Sequence, residues 1–169
     1  MKLKKIKNFI LTVDGKSSSG KSTAAKLLSK RYKIPHLSSG LLYRWAAKLI
    51  IENKPKNEIN YLKKSFSKIN FRNLIKINLH RPEISEESAR IARILAIRKI
   101  VKKTQKYWVK KNNNRCVIEG RDSHLIFPTA FIKFYLKSNL KLAALRRFKD
   151  LKKKDRKISL KEVKNDLKK

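Results

Sequence analysis

The chain has 169 residues, 41% of them hydrophobic, with four glycines and four prolines, which excludes a fibrous or disordered protein and suffices for one globular core. Its formal charge of +34 points to anionic partners, either polyanionic substrates or nucleic acid bound non-specifically at low salt. No apolar run approaches the roughly 18–20 residues that span a bilayer, and the lone cysteine, Cys116, excludes an internal disulfide and suits a reducing cytoplasm.

The lysines are spread along the chain rather than gathered in a stripe, which argues against a dedicated nucleic-acid surface. Residues 1–7 are basic like the start of a signal peptide, but the apolar segment after them is short and ends in a glycine-rich loop rather than a cleavage site. The expectation is therefore a cytoplasmic monomer with no membrane segment.

In chain order, Phe9-Ile10-Leu11-Thr12-Val13 reads as a strand. It is followed by Gly15-Lys16-Ser17-Ser18-Ser19-Gly20-Lys21-Ser22-Thr23, which fills every fixed position of the phosphate-binding pattern G-x-x-x-x-G-K-S/T. Gly15 and Gly20 lack a Cβ, so backbone N–H groups can close on phosphate oxygens. The helix expected over 21–32 points its positive end at the same anion, with Leu27, Leu28 and Tyr32 spaced to face a sheet. Lys21 supplies a charge for the β- and γ-phosphates, and the Ser22 hydroxyl is a natural ligand for Mg²⁺. These residues predict binding of ATP or another nucleoside triphosphate together with Mg²⁺.

Residues 34–37 suggest a second strand, Ser38-Ser39-Gly40 a turn and helix N-cap, and 41–51 a helix with Trp45 in the core. After a polar linker over 52–58, residues 59–68 read as helix and 71–79 as a weakly alternating edge strand. A helical region over 82–111 carries Ile91, Ile94, Leu95, Ile100, Val101 and Trp108 as its buried stripe. Residues 115–119 form a buried strand ending at Gly120, 130–136 another, and 140–153 a helix. A final amphipathic helix over 157–169 begins at Ser159, with Glu162 completing a capping box.

Strands alternating with helices predict an α/β fold, a parallel sheet of about four strands between helical layers, with its ligand site at the carboxyl ends of the strands. The phosphate-binding loop, Ser38-Ser39-Gly40 and Gly120-Arg121-Asp122 each follow a strand, so they should converge on one rim. The loop alone does not separate motors, GTPases and kinases; the guanine-reading N-K-x-D segment of GTPases is absent. The three histidines, His36, His80 and His124, lack metal-ligand spacing and read as structural, and Cys116 as buried and inert.

Further motifs narrow the choice. Val13-Asp14-Gly15, Ser38-Ser39-Gly40-Leu41-Leu42-Tyr43-Arg44, Ile97-Arg98, Glu119-Gly120-Arg121-Asp122, Phe127-Pro128-Thr129-Ala130 and Leu145-Arg146-Arg147 occur in this order. In that order the chain resembles the bacterial cytidylate kinases, P-loop enzymes that phosphorylate CMP and dCMP. The resemblance implies that Ser39, Tyr43 and Arg44 line the monophosphate site, Arg98 and Arg121 add charge to the phosphate, and Asp122 accepts from the cytosine amino group. Asp122 has two plainer readings, a helix cap and an ion-pair partner of Arg121. Lys21, Arg146 and Arg147 would stabilise the transferred phosphoryl group.

By the same resemblance, residues 1–169 form a single kinase domain. It would carry a shortened monophosphate-binding insert at about 52–100 and the start of a lid at about 146–169. Departures from the family pattern are Ser38 and Glu119 in place of Asp, His80 where Arg is common, Ala89 where a base-contacting Ser is expected, and Ser123-His124 in place of G-T. The chain stops inside the expected lid, which implies that lid arginines and a fifth strand are missing, Arg156 and Lys152-Lys153-Lys154 substituting in part. Two alternatives stay open at this point: another small-molecule kinase on the same frame, and a weakly active basic protein that binds nucleotides or nucleic acid.

Overall fold

The computed structural model describes residues 6–77, 79, 81–152 and 159–166. Its centre is a sheet of strands β1 (Phe9–Gly15), β2 (His36–Ser38), β3 (Arg115–Gly120) and β4 (Ile132–Leu136) in the order β2-β3-β1-β4. All three pairings are parallel, with Val13 opposite Glu119 and Phe134, and Ser38 opposite Glu119. Every residue of β1 is buried, because a central parallel strand is covered on both faces and therefore reads as a continuous apolar run.

Alternate side chains enter two cores, as the two-residue period of a strand requires. Phe9, Leu11, Val13 and Val117 pack with Ala25, Leu28 and Tyr32 of α1 (Lys21–Tyr32). Ile10, Leu37, Cys116 and Ile118 belong to the larger core on the other face. That core is built with α2 (Ser39–Asn53), α3 (Glu58–Ser67), α4 (Phe71–Lys76), α5 (Pro82–Ile91) and α6 (Leu95–Lys111). The remaining helices are α7 (Ser123–Ile126), α8 (Leu140–Lys152) and α9 (Leu160–Asp166). Strand β4 stands at the sheet edge and is exposed along most of its length, including Ile132, Phe134 and Tyr135.

The structure corrects several local expectations. Residues 71–76 are helical, not an edge strand: the Asn70 side chain accepts from the N–H groups of Arg72 and Asn73 at 3.0 and 3.3 Å, and this cap outweighs a weak alternation. Leu95 is 73% exposed, because α6 starts there and its inward phase runs through Ile97, Val101, Gln105 and Trp108. Leu27 is exposed as well; α1 buries Ala25 and packs the half-buried Ala24, Leu28 and Tyr32 against the sheet. Ser38 occupies the N-cap position of α2 without a side-chain capping bond. Strand β4 begins at Ile132 rather than Ala130.

Trp45 packs edge-on to Phe66 at 4.8 Å, as a core residue. The capping box of α9 forms, Ser159 N–H donating to Glu162 Oε2 at 2.8 Å and Glu162 N–H to Ser159 Oγ at 3.2 Å. His80, Lys153, Lys154 and Arg156 lie outside the described residues. Among the described residues no helix is long and apolar enough to cross a membrane.

Candidate active site at the carboxyl rim of the sheet

Because the strands are parallel, their carboxyl ends share one rim, and β1 delivers the chain there into the loop of residues 16–20. Two glycines shape that loop. A Cβ on Gly15 would stand 2.5 Å from the Leu136 carbonyl oxygen of β4, and Gly20 has φ +93°, where a side chain is strained. Ser18 also turns left-handed, at φ 58°. Lys16 is exposed, Ser17 and Ser18 are half-buried, and Ser19 is buried with no partner for its hydroxyl among the described residues. Lys21, Ser22 and Thr23 form the first turn of α1, whose free N–H groups face the loop.

Lys21 Nζ folds back and donates to the Lys16 carbonyl at 3.0 Å. Its pKa is lowered: burial is the largest cause, Glu119 opposes it, Arg121 and Arg44 add to it, and Asp14 opposes. Glu119, Asp14, Arg121 and Arg44 therefore all lie near enough to act on the Lys21 charge, and the three cations exceed the two carboxylates, a balance that favours an anion.

Glu119, at the end of β3, is 4% exposed. The Ser22 hydroxyl donates to its Oε1 at 2.6 Å, and His36 Nε2 lies 3.2 Å from its Oε2. Burial pushes this carboxyl up, but the hydrogen bonds from His36 and Ser22, with the charges of His36 and Lys21, outweigh it and hold the pKa below the ordinary value. Asp14, fully buried at the end of β1, accepts from the Ser123 and His124 N–H groups at 2.8 Å each and lies 3.0 Å from His124 Nδ1. It pins the turn after β3 to the phosphate-binding loop.

The Ser39 segment meets the same rim. A Cβ on Gly120 would fall 2.4 Å from Ser123 Oγ, 2.9 Å from Ser39 Oγ and 3.4 Å from Asp14 Oδ1. Three chain segments, the end of β1, the start of α2 and the turn from β3 into α7, therefore meet around one glycine. One turn along α2, Arg44 is half-buried, and its pKa is lowered by burial first and then by Arg147, with Glu119 opposing. Burial raises the Tyr43 phenol; Arg98 counters that rise and Asp122 adds to it. Arg98 Nη2 donates to Asp122 Oδ2 at 2.6 Å, and its Nη1 reaches the Ala92 carbonyl at 3.4 Å. Asp122 thus pairs with Arg98, not Arg121, and although it stands at the N-cap of α7 its side chain makes no capping bond.

Arg146 and Arg147 are neighbours on α8 and diverge. Arg146 lines a cleft of about 690 Å³ with Ser18, Lys21, Thr23, Phe148 and Lys152, and its Nη1 lies 3.4 Å from where a Gly20 Cβ would stand. Arg147 instead acts on Arg44. The roughly 100° between successive helix residues separates the two sides.

The cytidylate kinase family model matches residues 11–169. The chain belongs to the cytidylate kinase family. Among curated relatives, the cytidylate kinase of Bartonella tribocorum is 33% identical over 168 residues, covering 96% of this chain and 76% of its own. That of Bartonella quintana is 32% identical over 164 residues, covering 94% and 74%. The Chlamydia felis cytidylate kinase is 32% identical over 157 residues, covering 84% and 71%.

Within this cytidylate kinase frame, sequence reasoning gave no role to Asp14 or Glu119 and took His36 and His124 as structural, yet each histidine meets a rim carboxylate. The available signal was position, since both acids end strands at the rim. Among the described residues no three His, Cys, Asp or Glu side chains gather to hold a metal. A Mg²⁺ ion completed by phosphate and water needs fewer protein ligands, and the hard oxygens of Ser22 and Glu119, 2.6 Å apart, fit it.

Proposed function

We propose that this chain transfers the γ-phosphoryl group of ATP to CMP or dCMP, giving ADP and CDP or dCDP. The supporting observation is convergence: the phosphate-binding loop, the cations Lys21, Arg44 and Arg121, and the Asp122 carboxylate belong to one rim. The loop N–H groups and the amino end of α1 would hold the β- and γ-phosphates, with Arg146 covering them from α8.

On the facing side, Arg44 would fork onto the CMP phosphate, assisted by Arg98, Arg121 and Arg147. Ser39 and Tyr43 would line that site, and Asp122 would accept from the cytosine 4-amino group. Ser22 and Glu119 would hold Mg²⁺, which supplies charge neutralisation at the donor phosphates when bound.

The reaction asks little covalent chemistry of the protein. An oxygen of the CMP phosphate attacks the γ-phosphorus while the bond from the β–γ bridging oxygen to that phosphorus breaks, and ADP leaves with the electron pair. Alignment by the two anion cradles and neutralisation by Lys21, Arg146 and Arg147 lower the barrier. A phosphate anion is already a competent nucleophile, so no strong general base is needed. The reading places the reaction in a reducing cytoplasm, in keeping with the single buried thiol.

The test is a coupled ADP-release assay with Mg²⁺ and a panel of acceptors. CMP and dCMP should outrun UMP and AMP. Folded protein that releases no ADP in response to CMP, or that prefers AMP, overturns the proposal.

A further inference from the structure

We infer that His36 is a positioning residue for the donor site: it clamps one oxygen of Glu119 so that the other is presented to Ser22 at the start of α1. The inference rests on the proposed reading of that loop as the Mg²⁺–triphosphate site.

The geometry is set by the sheet. His36 and Ser38 share a face of β2, and Ser38 stands opposite Glu119 in the parallel register, so His36 approaches the Glu119 carboxylate diagonally along the same face. Glu119 has one more methylene than the Asp usual at this point of the family pattern, which gives its carboxylate longer reach and one more torsion to fix. Both oxygens are committed to separate elements, Oε1 to Ser22 on α1 and Oε2 to His36 on β2. These partners lie 97 and 83 residues away in sequence, so no local preference produces the arrangement.

A carboxylate held at one oxygen can swing about its last torsion; one held at both cannot. With its proton on Nε2, His36 donates to Oε2, and no other side-chain partner of its ring occurs among the described residues. The imidazole side chain is 17% exposed, so it is not a core filler. Orientation of an acid that serves a metal by a second residue is a general device, and loss of such a partner typically costs about 10- to 100-fold in metal affinity or activity.

The experiment compares the wild-type chain with His36→Phe, which keeps a planar ring without a donor, and His36→Gln, whose amide N–H can reach Oε2. Binding of a fluorescent ATP analogue is titrated with and without Mg²⁺ in the absence of CMP, and turnover is then measured against Mg²⁺, ATP and CMP. His36→Phe should weaken Mg²⁺-dependent analogue binding and raise the Mg²⁺ concentration for half-maximal rate, each about tenfold. The KM for CMP should stay within about twofold, and His36→Gln should recover most of the loss.

Wild-type Mg²⁺ dependence in His36→Phe overturns the inference. So does equal loss in both variants, or a loss confined to the KM for CMP. Melting curves show whether each variant is folded, and if His36→Phe is not, His36→Leu, which also lacks a donor, takes its place against His36→Gln on the same Mg²⁺ readout. The binding arm needs no turnover: intact Mg²⁺-dependent binding with no CMP phosphorylation defeats the kinase reading and leaves the His36 result to stand or fall separately.

Discussion

Removing the guanidinium of Arg147 should raise the KM for CMP, whereas removing that of Arg146 should raise the KM for ATP, because one acts on Arg44 and the other lines the cleft beside the loop. A charge-assisted hydrogen bond is worth about 1.5–3 kcal/mol, so each Arg→Ala change should cost about 10- to 100-fold in one substrate's KM and little in the other's. Steady-state kinetics with each substrate varied in turn checks this, and equal effects on both would refute the division. Cys116 makes a separate prediction. Burial pushes its thiol up to about 12, so a thiol reagent at pH 8 should leave the native chain unmodified and react only after denaturation. The sign for stability follows: an unfolded thiol loses its proton near pH 8.5 while the folded one keeps it to about 12, so this group makes stability fall as pH rises through that window.

At the scale of elements, the rim depends on how closely the end of β3 approaches the starts of α2 and α7. Gly120→Ala would put a methyl 2.4 Å from Ser123 Oγ and 2.9 Å from Ser39 Oγ, and overpacking of this kind costs about 1–3 kcal/mol. Thermal melts should show that loss. Gly40→Ala, in the first turn of α2 with Ser38 Oγ 3.6 Å from the added methyl, should be neutral or raise stability by about 0.5–1 kcal/mol, since Gly is a poor helix residue. If Gly120→Ala melts like wild type, this three-segment junction is looser than these distances imply.

Much of this level was legible beforehand. The apolar run of β1, the loop pattern and the span of α1 announce themselves locally, and so does the capping box of α9. Helix α4 did not, because its formation turns on a single Asn70 cap against an ambiguous pattern. Leu95 misled because the phase of a helix follows from where it starts. The ties of Glu119 to Ser22 and His36 were beyond reach, since partners 97 and 83 residues apart meet only once the strand order is known. Arg44, Arg121 and Asp122 were readable as candidates, whereas the pairing of Asp122 with Arg98 depended on the approach of α6 to the β3 rim.

For the whole molecule, 46 basic residues stand against 12 acidic ones, and Asp14, Glu119 and Asp122 of that minority sit at the rim, each hydrogen-bonded. The positive field attracts nucleotides and, without selectivity, longer polyanions. Retention of single-stranded RNA should therefore fall steeply, about 300-fold between 50 and 200 mM salt if six phosphates are contacted. Filter binding across that range checks it. RNA affinity that persists unchanged at 200 mM would mean a built nucleic-acid surface instead of diffuse charge.

The Arg98–Asp122 bond has a consequence for how an acceptor is admitted. On the proposed roles, the group that senses phosphate and the group that senses the base are engaged with each other until a ligand arrives. A phosphate that draws Arg98 away frees Asp122 for the cytosine amino group, so the two recognitions are thermodynamically linked. Cytidine and inorganic phosphate, supplied as separate molecules, should each bind feebly and each improve the other's affinity. Disrupting the bond with Arg98→Ala should abolish that mutual gain while leaving a basal grip on cytidine. Such a site identifies its substrate by conjunction, admitting a base only when it comes joined to its charge.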